Sequence, residues 1–125
     1  MKKETFSLIL FHGSGKILAS KSASSFCNKI RKNQDKSIAY CFLQGTNPSL
    51  PEALAKIKSK GYKYIKIYPL FLLPGYHLDT NIPDIVQEFL TNNPEIKISI
   101  GKCLVDEPLF QDAIISLIYN KTKNA

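Results

Sequence analysis

Apolar residues gather along this chain in short runs separated by Gly, Pro, Asn and Ser, and the runs alternate between two periods. Thr5–Phe11 is almost continuously apolar, the pattern of a strand buried on both faces. Ile17–Lys32 has helical spacing, with Ile17, Leu18, Phe26, Cys27 and Ile30 as its expected buried stripe. Ser37–Leu43 reads as a second strand. Pro48 and Pro51 frame the entry to a helix running to about Lys60, with Ser49 as N-cap, Glu52 three positions on and Gly61 just past the end. Tyr64–Leu70 forms a third strand, Tyr and Lys outward and Ile inward, before the chain becomes wholly apolar. A third helix spans Ile82–Thr91, with Pro83 in its first turn and Asn81 or Thr80 as cap, and Asn92-Asn93-Pro94 stops it. Ile96–Ile100 is a short fourth strand and Pro108–Asn120 a final helix, followed by a frayed tail from Lys121.

Strands alternating with helices across short loops predict an α/β plan with a mainly parallel four-stranded sheet, right-handed crossovers and helices on both faces, a three-layer α/β/α sandwich. At 125 residues, 44% hydrophobic and 22% charged, the chain fits one globular domain over residues 1–125. No apolar stretch approaches the roughly 20 residues that span a bilayer, so no membrane partner is expected. Met1-Lys2-Lys3 and the short run after it end in His-Gly-Ser-Gly without a cleavage site, which suits the first strand of a cytoplasmic protein better than a signal peptide. Cys27, Cys41 and Cys103 are odd in number and widely spaced, as expected for reduced, packed thiols.

Charge narrows the partners. The net charge of +7 favours an anion. The lysines are scattered, however, no finger or RNP-type motif is present, and Arg31 is the single arginine, so nucleic acid is not expected. A small polycarboxylate or phosphate needs far less basic surface.

Gly13-Ser14-Gly15-Lys16 fails as a phosphate loop, because Leu10 holds the first glycine position and Ile17 the hydroxyl position. It fails as a dinucleotide fingerprint because Leu18 stands where a third glycine is needed. His12-Gly13 lacks the arginine of a histidine phosphatase, since Phe11 precedes it, and the chain has no G-x-S-x-G nucleophile elbow.

What remains is the histidine pair. His12 and His77 are the only two, about 65 residues apart, and each follows a strand where ligands bind in open parallel sheets. Neutral imidazole ligates first-row divalent metals and accepts a proton near pH 7. Two such groups without thiolate or carboxylate partners make an incomplete permanent site, as suits an ion held loosely and passed on. Pro69-Leu70-Phe71-Leu72-Leu73-Pro74-Gly75-Tyr76-His77 surrounds the second imidazole with apolar groups, which suits a flat macrocycle lying over a metal.

In four ordered segments the chain resembles the short class II sirohydrochlorin chelatases. They are the strand leading into His12-Gly13-Ser14; Phe42-Leu43 leading into Asn47-Pro48-Ser49-Leu50-Pro51-Glu52-Ala53-Leu54; Tyr68 to Leu73; and Gly75-Tyr76-His77-Leu78 running to Ile82-Pro83. The resemblance implies a flavodoxin-like chelatase fold and a homodimer with the tetrapyrrole in a cleft. It implies His12 and His77 as catalytic, metal-binding residues, with Ser14, Leu70, Phe71, Leu72, Gly75 and Tyr76 around the ring. It also implies Co²⁺, Ni²⁺ or Fe²⁺ as substrate, no organic cofactor, and a place in cobalamin, siroheme or nickel-tetrapyrrole synthesis. The substrate's carboxylate arms would give the basic charge a purpose. Two positions depart from the family pattern: Gln44 stands where a glutamate usually follows the second strand, and Asn81 where an aspartate usually precedes Ile-Pro. Gly15-Lys16 likewise replaces the usual Arg-Asp after His-Gly-Ser. An amide cannot act as a base, so the alternative expectation is a tetrapyrrole or metal carrier that keeps the fold without turnover.

Overall fold

Both hydrophobic periods become regular structure in the computed structural model, which describes residues 2–14, 16–75 and 80–120. The elements are β1 (Lys2–Phe11), α1 (Ile17–Ile30), β2 (Ile38–Phe42), α2 (Leu50–Ser59), β3 (Tyr62–Pro69), α3 (Ile82–Asn92), β4 (Lys97–Ile100) and α4 (Pro108–Tyr119). Short 3₁₀ turns occupy Lys32–Gln34 and Leu104–Asp106. The sheet has the order β2-β1-β3-β4 and each pairing is parallel.

Register explains the core. Leu8 lies opposite Ala39 and Ile67, and Leu10 opposite Cys41 and Pro69, so small and large side chains share one face. Against that face α2 and α3 bring Leu50, Ala53, Leu54, Ile57, Ile82 and Val86. Each fully buried Leu or Ile there contributes about 1.5–3 kcal/mol. On the other face Ile9 is buried along with Ala23 and Cys27 of α1, so β1 is covered on both sides as its continuous run predicts. The start of α2 also follows the sequence: Ser49 Oγ accepts from Glu52 N, and the Glu52 carboxylate accepts from Ser49 N, a complete capping box. Gly61 takes φ +92° just beyond the helix.

Three expectations need correction. The α1 stripe is wrong in detail: Ala23 and Cys27 are buried, whereas Ile17 is 73% and Leu18 70% exposed, with Phe26 and Ile30 also at the surface. The helix packs against β2 through its small residues, with Phe26 meeting the sheet only edge-on, at the Phe11 ring. It also ends at Ile30, two residues early. Arg31 there turns its guanidinium onto the Ile38 carbonyl, and Asn33 and Gln34 adopt positive φ. Finally, Asn81 occupies the N-cap position of α3 but has helical dihedrals, and its side chain makes no cap bond.

The last helix is the anomaly. α4 is almost wholly apolar, yet none of its residues is buried, and it packs chiefly against the Leu104–Asp106 turn just before it. The sheet face opposite α2 and α3 is correspondingly bare over β3 and β4, where Tyr64, Tyr68, Lys97 and Ser99 are exposed.

Candidate metal and macrocycle site at the switch point

From β1 the chain steps outward to β2 and then crosses back to β3. The connections leaving the carboxyl ends of β1 and β3 therefore diverge and open a crevice between them. Backbone bonds carry the sheet beyond its formal ends: Leu43 N donates to Phe11 O at 2.8 Å, Gln44 N to His12 O at 3.1 Å, and Leu70 N to Leu10 O at 2.9 Å. The main chain of His12 is thus held by the loop after β2, and the start of the apolar segment is held by β1.

Gly13 explains why a glycine follows the histidine. Its φ is +90°, and a Cβ there would sit 1.9 Å from the Gln44 carbonyl oxygen. The chain can turn away at once, leaving the His12 side chain exposed at the rim. His12 Nδ1 is 3.2 Å from Gly13 O. With that nitrogen protonated and donating, Nε2 carries the lone pair that a metal or proton would use.

The apolar segment after β3 runs beside His12. The Phe71 ring meets His12 edge-on, with centroids 5.8 Å apart. Leu70 and Phe71 are half-buried, whereas Leu72 and Leu73 are 54% and 64% exposed. This segment is clamped from behind, because Leu104 N donates to Phe71 O at 2.8 Å and Val105 N to Leu72 O at 3.1 Å. That support was not foreseen, since Leu104 and Val105 follow β4 in a stretch without periodicity. Ser14 and Gly75 are exposed, and Ser14 Oγ accepts from Lys16 N at 3.3 Å. Tyr76 and His77 lie outside the described residues. The structure therefore brings together His12, Leu70, Phe71 and the turn at Ser14.

Gln44 is exposed beside this rim, its own backbone fastened to that of His12. Among the described residues, no group of three or more His, Cys, Asp or Glu is placed to hold a metal ion. Cys27, Cys41 and Cys103 are buried and free, and burial pushes the Cys41 thiol up to about 12. Burial also raises Cys27 and Cys103, the latter with Asp106 beside it. Protonated, packed thiols fit the core role expected of them.

An open parallel α/β sheet with an imidazole at its switch point and an apolar rim beside it defines a class: proteins that take a ligand at the strand ends. Comparison with known proteins makes the assignment specific. A family model described as CbiX matches residues 7–121, and the chain belongs to the CbiX family. A sirohydrochlorin cobaltochelatase of Sulfurisphaera tokodaii is 30% identical over 89% of this chain and 84% of its own. A sirohydrochlorin ferrochelatase of Priestia megaterium is 28% identical over 76% of this chain. The chain spans 36% of that relative's length, and 55% of a cobaltochelatase from Methanothermobacter thermautotrophicus. Among solved structures, a CbiX protein from Marinobacter aquaeolei superposes with a TM-score of 0.79 at 19% identity, covering 94% of this chain and 97% of that one. The chelatase SirB of Bacillus subtilis subspecies spizizenii, solved with cobalt, gives 0.72 at 25% identity, covering 82% of this chain and 44% of its own.

Proposed function

We propose that this chain inserts a divalent metal ion into sirohydrochlorin or a closely related tetrapyrrole. The observation that carries the reading is the pairing of His12 with the Phe71 wall at the switch point, in a chain whose relatives are named as sirohydrochlorin chelatases. His12, through Nε2, and His77 position the incoming ion at the rim. As the ion passes to the pyrrole nitrogens, the imidazole it leaves regains its lone pair and accepts one of the two departing N–H protons, the other going to solvent. His77 serves as the second imidazole. Leu70, Phe71, Leu72 and Tyr76 hold the ring by apolar contact, while Ser14 and Gly75 line the two turns beside it. The metal is substrate rather than resident cofactor, and the chemistry calls for no organic group. Cobalt and iron are the leading ions, being those named for the relatives, with nickel as a third.

A second copy of the chain is the protein partner in this reading. The bare apolar helix α4 and the bare face of β3 and β4 support it, since each lacks what the other offers. Free buried thiols support a reducing, cytoplasmic setting, and no described helix is long and apolar enough to cross a membrane.

Gln44 and Asn81 favour the second reading, a tetrapyrrole or metal carrier, because neither amide can act as a base. Anaerobic absorption spectra of sirohydrochlorin with Co²⁺ or Fe²⁺ separate the two. A chelatase drives the spectral change through many equivalents per chain, whereas a carrier saturates at one. Saturation at one equivalent, with turnover gained by Gln44→Glu, would replace the first reading by the second.

A further inference from the structure

Along the outer edge of β2 runs a groove of about 1070 Å³, at the upper end of the size in which proteins hold small molecules. No residue of the His12 site lines it. Its floor is apolar, formed by Phe6, Ala39, Ala53 and Ile57. One wall is α2 with its C-terminal cap, which places Lys56 and Lys60 one helical turn apart on a single side. Lys60 Nζ lies 5.9 Å from the centre of the Phe6 ring, so it leans over that floor. The opposite wall is the end of α1 and the turn after it, bearing Arg31 and Lys36.

Arg31 is held in place rather than waving in solvent. Nε and Nη2 donate to Ile38 O at 3.2 and 2.9 Å, and Nη1 donates to Asn28 Oδ1 at 3.1 Å. That leaves one N–H on each terminal nitrogen, a pair suited to a planar carboxylate. The two carboxylates of the lining, Asp35 and Glu52, keep their charge but are bonded to neutral groups of their own segments, and the four cations Arg31, Lys36, Lys56 and Lys60 outnumber them. Asp35 accepts from the Ser37 hydroxyl and amide, and these bonds hold its carboxyl below the usual range. Glu52 is engaged by the Ser49 amide.

The strand edge adds polar groups of its own. Ser7 N bonds Ser37 O and Leu43 N bonds Phe11 O, so the odd-numbered residues of β2 turn their main-chain groups toward β1. The even-numbered ones turn outward. Arg31 covers Ile38 O, Phe42 N donates to Pro48 O, and Tyr40 between them presents its N–H and C=O to the groove.

We propose that this groove binds a small dicarboxylate with an apolar, ring-sized body. Cations on two walls with an apolar floor between them select a molecule charged at both ends and apolar in the middle. A bare inorganic anion leaves the floor unused, and a neutral ring leaves the lysines unpaired. The proposal is independent of the His12 site and stands whichever way that site is resolved.

The test is titration of ¹⁵N-labelled protein with 2,6-naphthalenedicarboxylate, read by amide chemical shifts. Saturable shifts are expected at Ala39, Tyr40, Ala53 and Ile57, with inorganic phosphate and 2-naphthol each binding at least tenfold more weakly. The double charge reversal Lys56→Glu/Lys60→Glu affects two exposed side chains, so folding is retained. It should weaken the dicarboxylate at least tenfold, while Lys97→Glu on β4 changes affinity less than twofold. Shifts confined to α4 or to the rim at Ser14 and Leu72 would overturn the proposal. So would an unchanged affinity in the double variant, equal weakening by Lys97→Glu, or phosphate binding as tightly as the naphthalene probe.

Discussion

Replacing Gly13 by alanine probes how the imidazole of the site is positioned, and Gly61→Ala supplies the control. Both glycines have nearly the same φ, +90° and +92°, but a Cβ at Gly61 meets nothing within 4 Å while one at Gly13 would lie 1.9 Å from Gln44 O. The left-handed conformation costs an L-residue about 1–2 kcal/mol in either place. At Gly13 the Gln44 carbonyl must also retreat by more than about 1 Å to reach an ordinary C···O contact of about 3.3 Å. That movement loosens the bonds from Gln44 N to His12 O and from Leu43 N to Phe11 O, each contributing about 1 kcal/mol. Gly13→Ala should therefore cost about 3–4 kcal/mol and Gly61→Ala about 1–2 kcal/mol. For a domain of this size that corresponds to a fall in Tm of about 12–16 °C against about 4–8 °C. Urea denaturation of the two variants measures the difference directly. Because Gln44 holds the main chain of His12, Gly13→Ala should also slow metal insertion at temperatures where the protein stays folded, and Gly61→Ala should not. Equal destabilisation by the two substitutions would refute the close approach at Gly13 and the positioning built on it.

Further expectations concern the helices and the thiols. Ser49→Ala removes half of the capping box at α2 and should lower stability by about 1 kcal/mol in urea melts, with no change in insertion rate. Leu117→Glu/Ile118→Glu on exposed α4 should convert a dimer into monomers by sedimentation velocity while leaving the far-ultraviolet spectrum unchanged. A wild-type chain already monomeric at high micromolar concentration would refute the second-copy partner. Cys41, with its thiol pushed up to about 12, should resist thiol reagents until the protein unfolds. Its raised value also means that the unfolded chain releases the proton first. The stability linked to this thiol is thus fully present below about pH 9 and is lost as pH rises toward 12.

The alternation of run and breaker was enough to read four strands and four helices in order, because buried strands and amphipathic helices leave different periods in a sequence. Local chemistry was legible for the same reason: Ser49 with Glu52, and Gly61 after Lys60, act within a single turn. What failed depended on distant surfaces. Of the stripe expected on α1 only Cys27 is buried, joined by Ala23, while the bulky residues that carried the helical period stay at the surface. α4 was legible as a final helix, but its apolar composition did not show that it packs chiefly against the Leu104–Asp106 turn with none of its residues buried. At the site, the position of His12 followed from the end of β1, and its neighbour Phe71 from the end of β3. The clamp from Leu104 and Val105 could not be read, since it joins segments about 30 residues apart through backbone bonds that any side chain permits.

Multiple-turnover conversion of sirohydrochlorin, with Co²⁺ and Fe²⁺ in separate anaerobic runs, is the decisive assay when wild type and His12→Ala are compared at equal concentration. Removing a positioned imidazole that holds the ion and, once the ion has passed to the ring, can accept a pyrrole proton should slow turnover by about 10²–10⁴-fold. Tm should be little changed, since the His12 side chain is exposed. A His12→Ala variant that turns over within twofold of wild type would contradict metal insertion at the β1–β3 switch point.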